Sequence, residues 1–187
     1  MEELLTYLNA IHSLPVPLNE RLRKIIKFRK LFRRKYLLEA GQISREICFV
    51  RSGLLRCFYL KDGKDVTSWF MKEGDVIVSI ESFYDQVKSY EYIQAVEDCE
   101  LFFISYHELE ALYHEFPEFN FIGRVLTVKY LKLWTRQLFN MRMMTAKERY
   151  EYIIENNPDL VQRVSGKYLA TYLGMDVSTL YKLKEGW

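Results

Sequence analysis

Cysteine is scarce in this sequence: the chain holds three, Cys48, Cys57 and Cys99, and no two form a C-x-x-C pair. No histidine stands near any of them at ligand spacing. A cysteine-based zinc or iron–sulfur site is therefore not expected, and each thiol, set in an apolar run, reads as a small buried hydrophobe. His12, His107 and His114 sit in helical or helix-flanking contexts with no nucleophile motif beside them, so the usual enzyme constellations are missing as well. Glu2 and Glu3 interrupt the first apolar stretch, which removes a signal peptide. No run is long enough to cross a bilayer. These absences predict a soluble, cytoplasmic protein that is not an enzyme, carries no metal or cofactor and has no membrane partner.

Charge is present but unevenly placed. The formal net charge of +2 over 187 residues conceals three blocks. Glu73 to Glu118 holds twelve acids against one lysine, Lys88. Arg124 to Arg149 holds seven basic residues against one acid, Glu148, and Arg21 to Lys35 holds nine with no acid. Such asymmetry suggests an acidic middle and basic surfaces suited to a phosphate-bearing partner. For Arg21 to Lys35 a second reading stays open: the solvated face of an amphipathic helix with Leu22, Ile25, Ile26 and Leu31 turned inward.

The periodicity changes twice along the chain. Residues Leu4 to Phe32 read as helical, broken at Pro15 and Pro17. From Arg33 onward, short apolar runs are separated by turn residues: Tyr36–Leu38, Ile47–Arg51, Leu54–Leu60, Val66–Met71, Tyr92–Val96 and Leu101–Ser105. That spacing argues for an antiparallel sandwich or jelly roll. Asp62-Gly63, between two such runs, is the strongest hairpin signal. Helical spacing returns at Tyr106, and Pro117 opens a long helix from Glu118 to about Met143. Along it Phe121, Val125, Val128, Leu131, Thr135, Leu138 and Met141 follow a 3.5-residue seam. A helix of that length either pairs with a second copy, giving a two-fold dimer, or packs on the β domain of its own chain. A further helix spans Ala146 to Glu155 and ends before Pro158. A short turn, Asp159 to Arg163, follows it.

The last segment, Val164 to Trp187, reads as a helix-turn-helix. Tyr168, Leu169, Tyr172 and Leu173 form the apolar stripe of a first helix. Ala170 permits a close crossing, and Gly174 supplies the turn. A second helix runs from Val177 to about Lys184, with Asp176 at its N-cap. Val177, Leu180 and Leu183 share one face. Ser178, Thr179, Tyr181 and Lys182 point outward, each able to donate to bases or phosphates.

This order of elements resembles the Crp/Fnr family of bacterial transcription regulators over nearly the whole chain. Gly41 and the run Ile47 to Arg56 resemble the family's β-roll opening. Asp62-Gly63-Lys64-Asp65 resembles its hairpin, and Phe70 to Asp75 the entry to its ligand region. Ala146-Lys147-Glu148-Arg149-Tyr150, Pro158 and Tyr168 to Gly174 are similar to a short subgroup common in Bacteroidetes-type bacteria. The fold so implied is α+β: an N-terminal antiparallel β jelly roll with flanking helices (1–116), a long dimerisation helix (117–143) and a C-terminal helix-turn-helix domain (144–187).

The resemblance implies a homodimer on double-stranded DNA, RNA polymerase as a further partner and a small-molecule effector in the roll. Two departures matter. Where cyclic AMP binders carry Gly-Glu-Leu and then Arg-Ser or Arg-Thr, this chain reads Val78-Ser79-Ile80 and Ser89-Tyr90. No arginine lies between Arg56 and Arg124, and Lys88 lacks the planar fork that grips a cyclic phosphate. A standard cyclic nucleotide is therefore not expected, and Val78, Ser79, Ile80, Glu81, Ser82, Phe83, Lys88, Ser89 and Tyr90 are candidates for a different pocket or for plain core and loop. The subgroup's Glu-Thr-Leu-Ser-Arg is replaced by Ser178-Thr179-Leu180-Tyr181-Lys182, which predicts an altered base preference. Lys182, Ser178 and Thr179 are the expected base readers, with Lys167, Lys184 and Arg163 on phosphates. The competing expectation is a sensing module that acts through protein contacts, its helix-turn-helix degenerate.

Overall fold

A computed structural model describes residues 1–186; Trp187, the end of the expected helix-turn-helix segment, lies outside the described residues. The chain divides into two compact units. The first comprises residues 1–57 and 70–128, the second 58–69 and 129–187.

The first unit opens with α1 (Glu2–Ile11) and α2 (Val16–Ile25), which starts behind Pro15 with a second proline in its first turn, where no donor is lost. The chain then departs from the expected helix. Lys27–Leu31 is a strand, β1, paired antiparallel with β8 (Cys99–Ser105). Its sequence KFRKL shows no strict alternation, and the partner strand decides its state: Arg29 lies over the Phe103 ring at 4.4 Å, and Lys30 meets Glu100 at 3.6 Å. The basic Arg21 to Lys35 segment is thus no single helical face. Arg21, Arg23, Lys27, Arg29 and Lys30 pair with Glu115, Glu2, Glu108, Glu46 and Glu100, so internal carboxylates take up much of its charge.

The remaining strands are β2 (Tyr36–Leu38), β3 (Glu46–Ser52), β4 (Leu55–Lys61), β5 (Lys64–Met71), β6 (Val76–Ile77) and β7 (Tyr92–Ala95). They form two four-stranded sheets, β1-β8-β3-β6 and β2-β7-β4-β5. The unbroken apolar run Cys48-Phe49-Val50 on β3 is buried throughout. Alternate side chains point to opposite faces, so full burial of successive residues requires cover on both sides. Phe49, Phe102 and Ile104 join one core cluster with Leu5 and Leu8 of α1 and Leu18 and Leu22 of α2. Leu109 and Leu112 of α4 (Tyr106–Glu115) complete that side. Cys48, Val50 and Leu101 lie outside that cluster and turn the other way. α4 begins with a capping box, Ser105 to Glu108. A short helix, α3 (Ile80–Tyr84), occupies the segment after β6.

α5 (Pro117–Met143) runs 27 residues, its first part in unit one and the rest in unit two. In the first part Phe119 and Ile122 are buried in the core cluster. The second unit also contains α6 (Ala146–Asn156), α7 (Pro158–Arg163), α8 (Gly166–Tyr172) and α9 (Val177–Lys184). The expected turn at Asp159 to Arg163 is therefore a helix, entered at Pro158. The hairpin tip joining β4 to β5 belongs here too. Asp62 and Gly63 both have positive φ, 52° and 74°, as a two-residue type I′ turn requires.

Candidate nucleic-acid interface and candidate effector cavity

The turn between α8 and α9 is built around Gly174, whose φ is +63°. The Met175 N–H donates to the Ala170 carbonyl at 3.0 Å and the Gly174 N–H to Thr171 at 3.2 Å. Those two bonds satisfy the open end of α8 in the Schellman pattern, for which glycine is the usual residue. Ala170 is fully buried, as a close helix crossing needs. α9 then divides into two faces. Leu180 is completely buried, whereas Ser178, Tyr181, Lys182 and Lys184 are exposed and Thr179 is half-buried. Asp176 holds the N-cap position but makes no side-chain capping bond.

The expected phosphate contacts are arranged less simply. Lys167 is exposed and stands 4.0 Å from Asp65 on the hairpin, and Arg163 lies 3.8 Å from Asp159. The hairpin makes further contacts within this unit. Trp69 stacks on Trp134 with centroids 4.9 Å apart and meets Tyr172 edge-on, and the Thr67 N–H donates to Thr171 Oγ1 at 3.2 Å.

Arg149, one of the seven basic residues between Arg124 and Arg149, is turned inward rather than toward a partner. Its guanidinium donates to the carbonyls of Leu173 (2.7 Å), Met144 (2.6 Å) and Gly174 (3.3 Å), tying the start of α6 to the α8–α9 turn. The legible signal was Thr145-x-x-Glu148, a capping box that fixes where α6 begins and hence where Arg149 points. Glu148 accepts from the Thr145 N–H and hydroxyl, which holds its carboxyl below the usual range.

On α5 the seam residues fare differently along the helix. Val128, Leu131, Thr135 and Leu138 are exposed, Leu131 at 62% and Leu138 at 55%; Val125 is half-buried. Phe121 is exposed, with its ring 5.0 Å from that of His12. Met141 has its methyl against Gly174, so that seam position also serves the turn.

The effector candidates scatter. Phe83 is fully buried in the core cluster, and Ser79, Ser82 and Ser89 are buried. Their hydroxyls are engaged internally: Ser79 Oγ lies 3.2 Å from Ser89 Oγ, and Ser82 Oγ donates to Val87 O and accepts from the Ser44 N–H. Ile80, Glu81, Lys88 and Tyr90 are exposed. Burial pushes the three thiols up, Cys48 to about 12, Cys99 to about 11 and Cys57 well above its ordinary value, leaving them neutral. Among the described residues no cluster of metal-ligating side chains occurs. A cavity of about 120 Å³ does open in the first unit, but of the nine candidates only Val78 lines it. Gln42, Ser44, Arg45 and Glu46, which line it too, were missed because they precede the segment where the family's ligand residues were sought.

Residues 28–116 match the family described as cyclic nucleotide-binding domain. No curated protein is detectably similar to the chain in sequence. Among solved structures, FixK2 of Bradyrhizobium japonicum superposes with a TM-score of 0.74 at 16% identity, covering 86% of this chain and 83% of its own. The catabolite activator protein of Thermus thermophilus gives 0.58 at 20% identity, covering 96% and 85%. A candidate transcriptional regulator of the Crp/Fnr family from Eubacterium rectale gives 0.76 at 13%, covering 96% and 86%. The chain has the Crp/Fnr fold. The resemblance read from the sequence is borne out at the level of the fold, with a cyclic nucleotide-binding-type domain over residues 28–116, whereas the Bacteroidetes-type subgroup is not confirmed. Among the described residues, no helix is long and apolar enough to cross a membrane.

Proposed function

We propose that the chain is a homodimeric, DNA-binding transcription regulator of the Crp/Fnr type, not an enzyme, whose roll responds to a small effector other than a standard cyclic nucleotide. The observation that carries it is the division of α9, with Leu180 wholly buried behind an exposed polar face of Ser178, Tyr181 and Lys182. A helix so mounted presents hydrogen-bonding groups to a major groove, and the buried Ala170 with the turn at Gly174 supports a helix-turn-helix. The strand order supports a jelly roll for residues 1–116. The exposed seam Phe121, Val128, Leu131 and Leu138 supports residues 117–143 as the dimer helix, since monomers rarely leave such a stripe uncovered.

In the dimer, two copies of α9 enter successive major grooves roughly 34 Å apart. Lys182, Ser178 and Thr179 read base edges, while Lys167, Lys184 and Arg163 grip phosphates. RNA polymerase is a further partner, and the cytoplasm the compartment such a partner requires. The effector segment supports the exclusion of cyclic nucleotides: Ser79 and Ser89 bond each other where a phosphate would need open donors. The described cavity is also well below the roughly 300–1,000 Å³ usual for ligand pockets.

A second reading, a sensor acting through protein contacts, is favoured by one observation: Lys167 and Arg163 already face carboxylates. Binding of nonspecific duplex at rising salt separates the two. A DNA binder loses affinity with a log–log slope of about −0.9 per phosphate neutralised. A flat dependence, or no binding at 50 mM salt, would favour the protein-contact reading.

A further inference from the structure

The cavity in the first unit has a lining that divides by chemistry. Leu38, Ile77 and Ile93, each at most 5% exposed, form its floor, while Gln42 and Arg45 are exposed and stand at its mouth. The charge at the mouth is unbalanced. The carboxylate of Glu46, which also lines it, is engaged by the Arg29 guanidinium at 2.9 and 3.0 Å. Among the described residues no carboxylate pairs with the Arg45 guanidinium, so the mouth presents a net positive charge and a free fork of donors. The backbone that carries Arg45 is held on both sides: its carbonyl accepts from the Tyr106 N–H at 2.9 Å, and the preceding Ser44 N–H donates to Ser82 Oγ at 2.9 Å. The fork is therefore mounted on a fixed rim.

We propose that this cavity binds a small organic carboxylate, its head on the Arg45 guanidinium and a short apolar tail over Leu38, Ile77 and Ile93. A planar guanidinium matches a carboxylate with two parallel donors, and the floor rewards a tail that a bare inorganic anion lacks. The volume of about 120 Å³ admits only a few heavy atoms, which limits the tail to a short chain. The occupant would touch Val78, next to the buried Ser79, and so adjoin α3 and the segment assigned to effector sensing. That consequence rests on the regulator reading, whereas the binding does not.

The test titrates the full-length protein with butyrate, butan-1-ol and inorganic phosphate, following methyl NMR signals of Leu38, Ile77 and Ile93. Butyrate should saturate and shift those three methyls, with the alcohol and phosphate at least about tenfold weaker. Arg45→Gln, at an exposed position, should keep the fold and weaken butyrate about ten- to a hundredfold; Arg45→Lys should lie between. Absence of saturation, shifts elsewhere, phosphate as tight as butyrate, or an unaffected Arg45→Gln variant would each overturn the proposal. DNA binding is measured on the same samples. Failure of the unmutated protein to bind butyrate while it binds DNA refutes this site alone, and butyrate binding without DNA binding refutes the regulator reading alone.

Discussion

Arg149→Ala removes the side chain that joins α6 to the α8–α9 turn. Two of its three bonds, to Leu173 and Met144, are short, and a hydrogen bond from a charged donor contributes about 1.5–3 kcal/mol. The guanidinium is only half-buried, so solvent screening reduces the sum of the two to about 2–3 kcal/mol. The bond to Gly174, at 3.3 Å, adds little. Of the described residues, both tryptophans, Trp69 and Trp134, fall in the second unit, so fluorescence reports that unit, while far-ultraviolet dichroism reports both. With a urea slope of about 1 kcal/mol per molar for a unit of this size, the fluorescence midpoint should drop by about 2 M. The dichroism contributed by the sheets should change far less. Arg149→Lys keeps the charge but not the fork, and should recover less than half of the loss. A midpoint shift below about 0.5 M, or a lysine variant equal to the parent, would refute the claim that this fork holds the turn.

Replacing Leu131 and Leu138 together with glutamate places charge on the exposed seam of α5. Light scattering should then show a monomer with unchanged helix content; a persistent dimer would remove that seam from the interface. The three thiols should resist an aromatic disulfide reagent at pH 8 in the native protein, because burial keeps Cys48, Cys57 and Cys99 protonated at that pH. All three should react in denaturant, and rapid native labelling would contradict their assignment as core residues. Glu148 is held below the ordinary carboxylate range, so its support of α6 is complete above the unfolded value and disappears as pH falls through the lower folded one. An NMR titration of its side chain should show that depression, and Thr145→Ala should reduce it without abolishing it, because the N–H of residue 145 still donates to the carboxylate.

Much of the β region was legible because turn residues punctuate it. Asp62-Gly63 announced a hairpin, and the runs before Gly41, Gly53 and Gly74 became strands within about two residues of the expected bounds. β1 was not legible. Its basic sequence continues a helical pattern without strict alternation, and only the pairing with β8, roughly seventy residues later, makes it a strand. β6 and α3 are too short for any periodicity. At the C-terminus the Gly174 turn and the buried Leu180 followed from spacing alone. The effector candidates were less readable, because sequence does not distinguish a serine offered to a ligand from one bonded to a neighbouring loop. Ser79, Ser82 and Ser89 are of the second kind, while the unpaired cation at the cavity, Arg45, comes from a loop more than thirty residues earlier. Arg149 shows the converse: a residue counted as basic surface proves to be an internal tie.

The most direct test of the central claim is selection of bound duplexes from a random pool by the full-length protein, repeated with Lys182→Ala. The account predicts an enriched motif with two-fold symmetry and half-sites about one helical turn apart. It also predicts that Lys182→Ala relaxes one position of each half-site and costs about 1–3 kcal/mol on the selected sequence. An asymmetric or absent motif, together with unchanged affinity in the Lys182→Ala protein, would contradict it.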